Sequence, residues 1–382
     1  MHRPVRWPAA QVMTVARAMG PALLSVAVAS ATAAPLDALL GAWPERAGPS
    51  SAAAAAQLEA GLSFVNRHID FSDPEDDPEL AARAARGDYR AAHLSGGWAP
   101  APGWWLAGTL AQRELDDGVD RYRYLGWQLA AQWRWHEPPA GSRLPAMALR
   151  LGAWGHRAGE TATTTPVRVP GAVLDTVTIR DPADRTLQLD AIASWTLRPG
   201  LELGVLASVG DTRLSYGGLT ATTRRNGCSY DLLFTGNDIF GTLAEPCNAP
   251  GGVIEQFFDS SGSYGVDVPA EIAWRGRFVQ WGVNLRGETG AWTWAAGFLW
   301  HRIRRDGVDD VVAERGRSAY THNRQLVLDA GWRFQPGWAL FLRADLGERL
   351  FFNELPVTYN SSTAGRFGSR LSLLTAGLRA QF

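Results

Sequence analysis

The chain contains no lysine. Its 37 basic side chains are all arginine, and 38 acidic ones leave a formal net charge of −1. A balance that even excludes the basic footprint of a nucleic-acid binder. Cysteine is scarce: Cys228 and Cys247 are the only two, and neither lies near residue 33, where lipoprotein processing would need one. Long apolar runs are missing as well. Beyond residue 33 nothing approaches the roughly 18 consecutive apolar residues of a transmembrane helix. A chain of this kind enters a membrane only as a closed barrel, the other structure that satisfies its own backbone. There is no metal-ligand spacing, phosphate-cradling glycine loop or nucleotide fingerprint in a credible setting, so neither metal nor cofactor is expected. No internal repeat of roughly 20–50 residues is present.

What the chain does have is tryptophan, 17 residues of 382. Tryptophan favours the membrane–water interface, where its ring is apolar and its N–H stays wet. The mean hydropathy of −0.14 and the 20% of charged residues fit a soluble protein or a barrel, whose strands average apolar and polar faces. Residues 1–33 have the build of an export signal. His2, Arg3, Arg6 and Arg17 are basic, Leu23 to Ala29 is a short apolar core, and Ala31-Thr32-Ala33 is a small-x-small cleavage pattern. Met1, Met13 and Met19 are alternative starts. Removing this segment takes the formal charge from −1 to −4. Residues 34–56, rich in Ala, Pro and Ser, are expected to form a short periplasmic tail, or else a small plug helix.

From residue 57 onward the apolar period is two. Leu125, Trp127, Leu129, Ala131, Trp133 and Trp135 alternate with Gly126, Gln128, Gln132 and Arg134. Leu187, Leu189, Ala191, Ala193, Trp195 and Leu197 alternate with Gln188, Asp190, Ser194 and Thr196. This is strand periodicity, not helical periodicity. Strands are expected near 57–65, 88–98, 103–113, 121–136, 145–157, 185–198, 200–211, 273–287, 291–304, 321–334, 337–350 and 367–382. Alternate connections are short and rich in Gly or Pro, as at Pro199-Gly200 and Pro336-Gly337. The others are expected to be loops, most of them long: 66–87, 114–120, 158–184, 212–272, 305–320 and 351–366. Asp77-Pro78-Glu79 and Gly87 bound a short helix in the first of them. The expected fold is all-β: residues 57–382 form a closed antiparallel transmembrane barrel of about twelve strands, with short periplasmic turns and long extracellular loops.

The last strand is the most specific stretch. Leu374, Ala376, Leu378, Ala380 and Phe382 share one face, and the chain ends in Phe. It resembles the terminal signature by which the bacterial barrel-assembly machinery recognises Gram-negative outer-membrane β-barrel proteins. The resemblance implies an integral outer-membrane protein in contact with lipid, with that machinery as partner during biogenesis and Phe382 as its signal. It names a superfamily, not an activity.

Cys228 and Cys247 are expected to form a disulfide in the longest loop, because the periplasm is oxidising. The inward faces offer Glu59, Arg134, Arg150, Asp190, Glu202, Arg286, Asp329, Arg333, Arg343, Asp345 and Arg379. These charges either line a water-filled pore or pair across the lumen and close it. Arg333, Arg343 and Arg379 fall on successive strands, as a basic wall or as charges neutralised by Asp329 and Asp345. His93-Leu94-Ser95 has the spacing seen in outer-membrane phospholipases, which it resembles, but Leu94 claims the lipid face and turns His93 and Ser95 inward. Lipid A deacylases are a further resemblance, with His156, His301 and His322 at the rim and no persuasive triad. Three functions remain open: a porin-like passive channel for small hydrophilic or anionic solutes or an exported oligosaccharide, a closed barrel that binds or scaffolds a periplasmic or surface partner, and a rim-active lipid hydrolase. A polar tunnel from end to end supports the first, and a sealed interior the second.

Overall fold

The computed structural model describes residues 56–65, 88–116, 120–139, 142–164, 166–169, 172–248, 252–348, 359–360, 364 and 371–382. The export signal, the rest of the 34–56 tail and the helix expected near 77–87 lie outside these residues. In chain order the strands are β1 (Ala56–Val65), β2 (Asp88–Trp98), β3 (Trp104–Asp116), β4 (Arg121–His136), β5 (Ala146–Arg157), β6 (Glu160–Thr163), β7 (Val167–Val169), β8 (Ala172–Arg180), β9 (Ala183–Arg198) and β10 (Leu201–Ser215). They continue with β11 (Gly218–Arg225), β12 (Cys228–Thr235), β13 (Asp238–Leu243), β14 (Gln256–Ser260), β15 (Arg275–Thr289), β16 (Trp292–Arg305), β17 (His322–Gln335), β18 (Trp338–Gly347) and β19 (Leu371–Gln381). Two short helices are α1 (Val268–Ile272) and α2 (Val308–Glu314).

Twelve strands close a barrel in the order β1-β19-β18-β17-β16-β15-β10-β9-β5-β4-β3-β2. All twelve answer to the strands expected from the alternation, displaced by a few residues at their ends. The seam joins β1 to β19 antiparallel, with Glu59 opposite Arg379 and Ser63 opposite Thr375. Phe382 completes it: its N–H donates to the Ala56 carbonyl at 2.9 Å.

One end of the barrel carries the turns β2–β3, β4–β5, β9–β10, β15–β16 and β17–β18, and is called the turn end here. Gly103, Gly200, Gly290 and Gly337 all have φ between 60° and 78° at these turns, a left-handed conformation that only glycine enters at little cost. The outward aromatics crowd this end. Trp98, Trp104, Trp133, Trp135, Trp292, Trp294, Trp332 and Phe334 are exposed. Trp104 stacks on Trp133, and Phe382 meets Trp338 edge-on. Above this girdle many outward residues are aliphatic and exposed, among them Leu62, Leu129, Leu151, Leu187, Val209 and Leu342, with Phe64 and Trp281 as exposed aromatics between them.

The expected loops 158–184 and 212–272 are corrected by the structure. They hold a second sheet, β14-β13-β12-β11-β8-β6, with β7 on the β8 side. It continues the barrel wall past the end opposite the turns, the far end. The β5–β9 ladder passes into β6–β8 through Ala158 N–H to Pro182 O (3.0 Å) and Asp181 N–H to Gly159 O (2.8 Å). The β9–β10 ladder passes into β8–β11 through Gly217 N–H to Arg180 O, 2.8 Å. Its own core contains Ala221, Cys228, Tyr230, Leu232 and Ile239.

Cys228 and Cys247 are bonded, with their Cα atoms 5.6 Å apart. Closing this loop stabilises the sheet by about 3 kcal/mol in the chain-entropy model. The C228A/C247A variant is therefore expected to keep a folded barrel, seen as unchanged heat-modifiable mobility in gels, while the sheet is clipped faster by protease. Equal protease resistance in variant and parent would show that the bridge contributes nothing.

Candidate functional site: the barrel lumen and its far mouth

The inward row of every strand is polar or small in its middle, yet it is buried like a core. Gln128, Gln188 and Asp190 are each 1–2% exposed. Glu59, His93, Arg150, Ser208, Gln280, Asn284, Asp329, Arg343 and Asp345 are also buried. Water standing in an open pore would reach these side chains.

The largest charge group lies across the seam. Arg379 donates from Nε to Glu59 (2.6 Å) and through both Nη atoms to Asp329 (2.8 and 2.7 Å). Arg343 donates to Asp329 at 3.0 Å and lies 3.4 Å from Glu59. His93 Nε2 is 3.1 Å from the other Glu59 oxygen. The Phe341 ring packs beneath Arg379 at 4.2 Å. Two arginines and two carboxylates thus cancel. This corrects the basic wall: Arg343 and Arg379 are neutralised in place. Glu59 and Asp329 neutralise them, whereas Asp345 instead accepts from Gln325 at 2.8 Å. Arg333 is exposed at the turn end, 3.4 Å from Glu288, and donates to Gly290 O at 2.7 Å.

The remaining candidates are more scattered. Arg134 pairs with Glu137 at 3.0 Å near the turn end. Arg150 stands in register opposite Asp190, and Glu202 opposite Arg286. Asp190 accepts from Gln188 at 2.6 Å. His156 and His301 are corrected from rim positions to the interior. His156 Nε2 lies 3.2 Å from Arg113 Nη1, and Nδ1 lies 2.8 Å from Asp184. Arginine only donates, so Nε2 must accept and Nδ1 must carry the proton. Both nitrogens are engaged, and His156 is held as a structural link rather than a base. His301 stacks on Phe278. His93 faces the lumen while Leu94 is exposed to lipid, as the alternation requires.

The far mouth is apolar, which the sequence did not announce. Tyr89, Leu115, Tyr124, Leu214, Phe278, Ile303 and Leu373, from strands around the barrel, converge with Trp274, Tyr359 and with Val308 and Val312 of α2. Asp309 anchors the helix. It accepts from Arg305 N–H (2.8 Å), Arg305 Nη1 (3.0 Å) and the Tyr359 hydroxyl (3.2 Å). The Arg305 guanidinium lies 3.7 Å over the Tyr359 ring. Arg315 ties α2 to Glu271 of α1 at 2.5 and 3.1 Å.

On the inward rows several buried polar atoms have no hydrogen-bond partner within the protein: His93 Nδ1, Gln128 Oε1, Trp154 Nε1, Asp184 Oδ1, Gln188 Oε1, Ser208 Oγ and Gln280 Nε2. Each such atom costs about 1–3 kcal/mol.

A closed twelve-stranded antiparallel barrel with an apolar coat, an aromatic girdle and a polar interior is an integral outer-membrane β-barrel. No family model and no curated protein matches the chain. Solved structures similar to it include the translocator domain of autotransporter NalP from Neisseria meningitidis, at 11% identity over 91% of this chain and 94% of that one, with a TM-score of 0.47. The beta domain of the Bordetella autotransporter Brka has 14% identity over 86% and 100%, with a TM-score of 0.42. The NanC porin has 9% identity over 86% and 100%, with a TM-score of 0.38.

Two outcomes follow. Arg379→Ala leaves Glu59 and Asp329 to share the single guanidinium of Arg343, one buried negative charge in excess, and is expected to cost about 3–5 kcal/mol, read as a lower midpoint of denaturant unfolding in detergent. The second concerns Asp120, which lies outside the membrane-spanning strands. It accepts from Tyr122 (3.3 Å), Thr163 (2.6 Å), Thr164 N–H (2.8 Å) and the Thr164 hydroxyl (2.8 Å). Burial pushes its pKa up, but these four bonds outweigh burial and hold it below the ordinary 3.8. A depressed carboxylate stabilises the fold at pH values above its unfolded pKa and loses that contribution as pH falls through the folded value. Protection of the amides around Thr163 and Thr164, taken relative to their intrinsic exchange rate at each pH, is expected to fall below roughly pH 4, and Asp120→Asn to show that reduced protection already at neutral pH.

Proposed function

We propose that this protein is a sealed outer-membrane barrel that presents its second sheet at the cell surface as a recognition platform. The far end faces outward in this reading, the turn end faces the periplasm, and the barrel-assembly machinery is the partner that reads the Phe382 strand during insertion. The observation that carries the proposal is the burial of the inward polar row together with the apolar far mouth. A passive porin needs a wet path past these levels.

The sheet supplies the platform. Leu233, Phe240 and Phe258 stand side by side on β12, β13 and β14, paired in register, and all three are exposed. Exposed apolar ladders on an otherwise polar surface mark places where something binds. The disulfide and the continuous ladders hold that surface rigid on the barrel wall.

In liposome swelling with a neutral disaccharide, the purified and folded chain is expected to give no flux above protein-free vesicles. Swelling at a rate comparable to that of an open porin in the same vesicles would overturn the sealed reading.

A further inference from the structure

We propose that the seal is conditional: α2 is a plug held in the far mouth by the Asp309 latch, and releasing it turns the lumen into a conducting polar path for small ions and hydrophilic solutes. The inference rests on the sealed-barrel reading and goes beyond it.

Three observations meet here. First, the interior beyond the plug is built of polar groups. Seven of its buried polar atoms lack partners, on β2, β4, β5, β9, β10 and β15. A lumen meant only as a permanent core gains nothing from such groups, whereas hydration would satisfy all of them. Second, the apolar layer is confined to one end, and α2 is a short, discrete part of it whose Val308 and Val312 are fully buried. The helix has seven residues, of which Val308 and Val312 enter the apolar cluster. Glycines bound the segment, Gly307 with φ 84° before it and Gly316 with φ 72° after it, so the chain can turn at both ends. Third, the attachments converge on one carboxylate. Asp309 receives Arg305 from the barrel wall and Tyr359 from the last connection. Trp274 N–H holds the Tyr359 carbonyl at 2.8 Å, which places that ring against Arg305. Losing the carboxylate removes the bonds through which α2 holds both Arg305 and the Tyr359 hydroxyl. Arg315–Glu271, the outer tie, joins α2 to α1.

The test is conductance of potassium chloride across planar bilayers containing the full folded chain. Asp309→Asn and Tyr359→Phe are compared with the parent. Asp310→Asn, which alters the exposed acid next along α2, is the control. Retained heat-modifiable mobility establishes that each variant is a folded barrel. Tyr359→Phe removes a single hydroxyl, so it remains informative if Asp309→Asn fails to fold. The expected result is a silent parent, a silent Asp310→Asn, and discrete current steps in Asp309→Asn that occur at least tenfold more often than in the parent. Tyr359→Phe should be intermediate. Folded but silent latch variants, or equal opening in the Asp310→Asn control, would refute the latch and leave the sealed barrel standing. A conducting parent would instead remove the sealed reading itself.

Discussion

The fold depends on one constraint: no backbone amide or carbonyl can be left facing lipid. In hydrocarbon an unsatisfied group costs several kcal/mol, so the sheet must return to its starting strand. The β1–β19 seam is where this closure is made, and it is reinforced from inside. Glu59 meets Arg379 and Ser63 meets Thr375 at 2.7 Å, each linking residues more than three hundred positions apart. Once the ladder is closed, alternation leaves only two places for a side chain. Outward positions meet acyl chains and are apolar. Inward positions meet one another, and the charge network, the Arg113–His156–Asp184 link and the apolar mouth are different solutions to that crowding.

The twelve barrel strands were legible because the barrel wall imposes period two over ten or more residues, far longer than chance alternation. The side each residue faces was legible for the same reason. The second sheet was missed because its strands are shorter, from three to nine residues, and its two faces are less distinct in polarity. Yet Asn226-Gly227 stood between two alternating runs with φ of 52° and 82°, the pair that a tight hairpin requires, and that dipeptide could have exposed β11 and β12. The disulfide was readable from a count of two cysteines together with the oxidising compartment that an export signal implies.

The interior was legible only as an inventory. Sequence places Arg343, Arg379, Asp329 and Glu59 on inward rows, but their meeting depends on the seam, which joins opposite ends of the chain. His156 and His301 sit near strand ends and so looked like rim residues, while their side chains turn inward onto Arg113 and Asp184 and onto Phe278 and Gln280. Val308 and Val312 gave no sign of entering a barrel mouth, because a seven-residue helix is too short for an amphipathic pattern to stand out.

The shared ladders also carry the register of the barrel wall beyond the membrane. β6, β8 and β11 inherit their alignment from β5, β9 and β10 through three hydrogen bonds at Ala158, Asp181 and Gly217. A shift of one residue in the wall would turn the faces of the surface sheet inside out. The strands of the outer layer next to the wall therefore take their register from the membrane layer, whereas β12 and β13 pair through their own tight turns, and the Cys228–Cys247 bridge closes that outer part on itself.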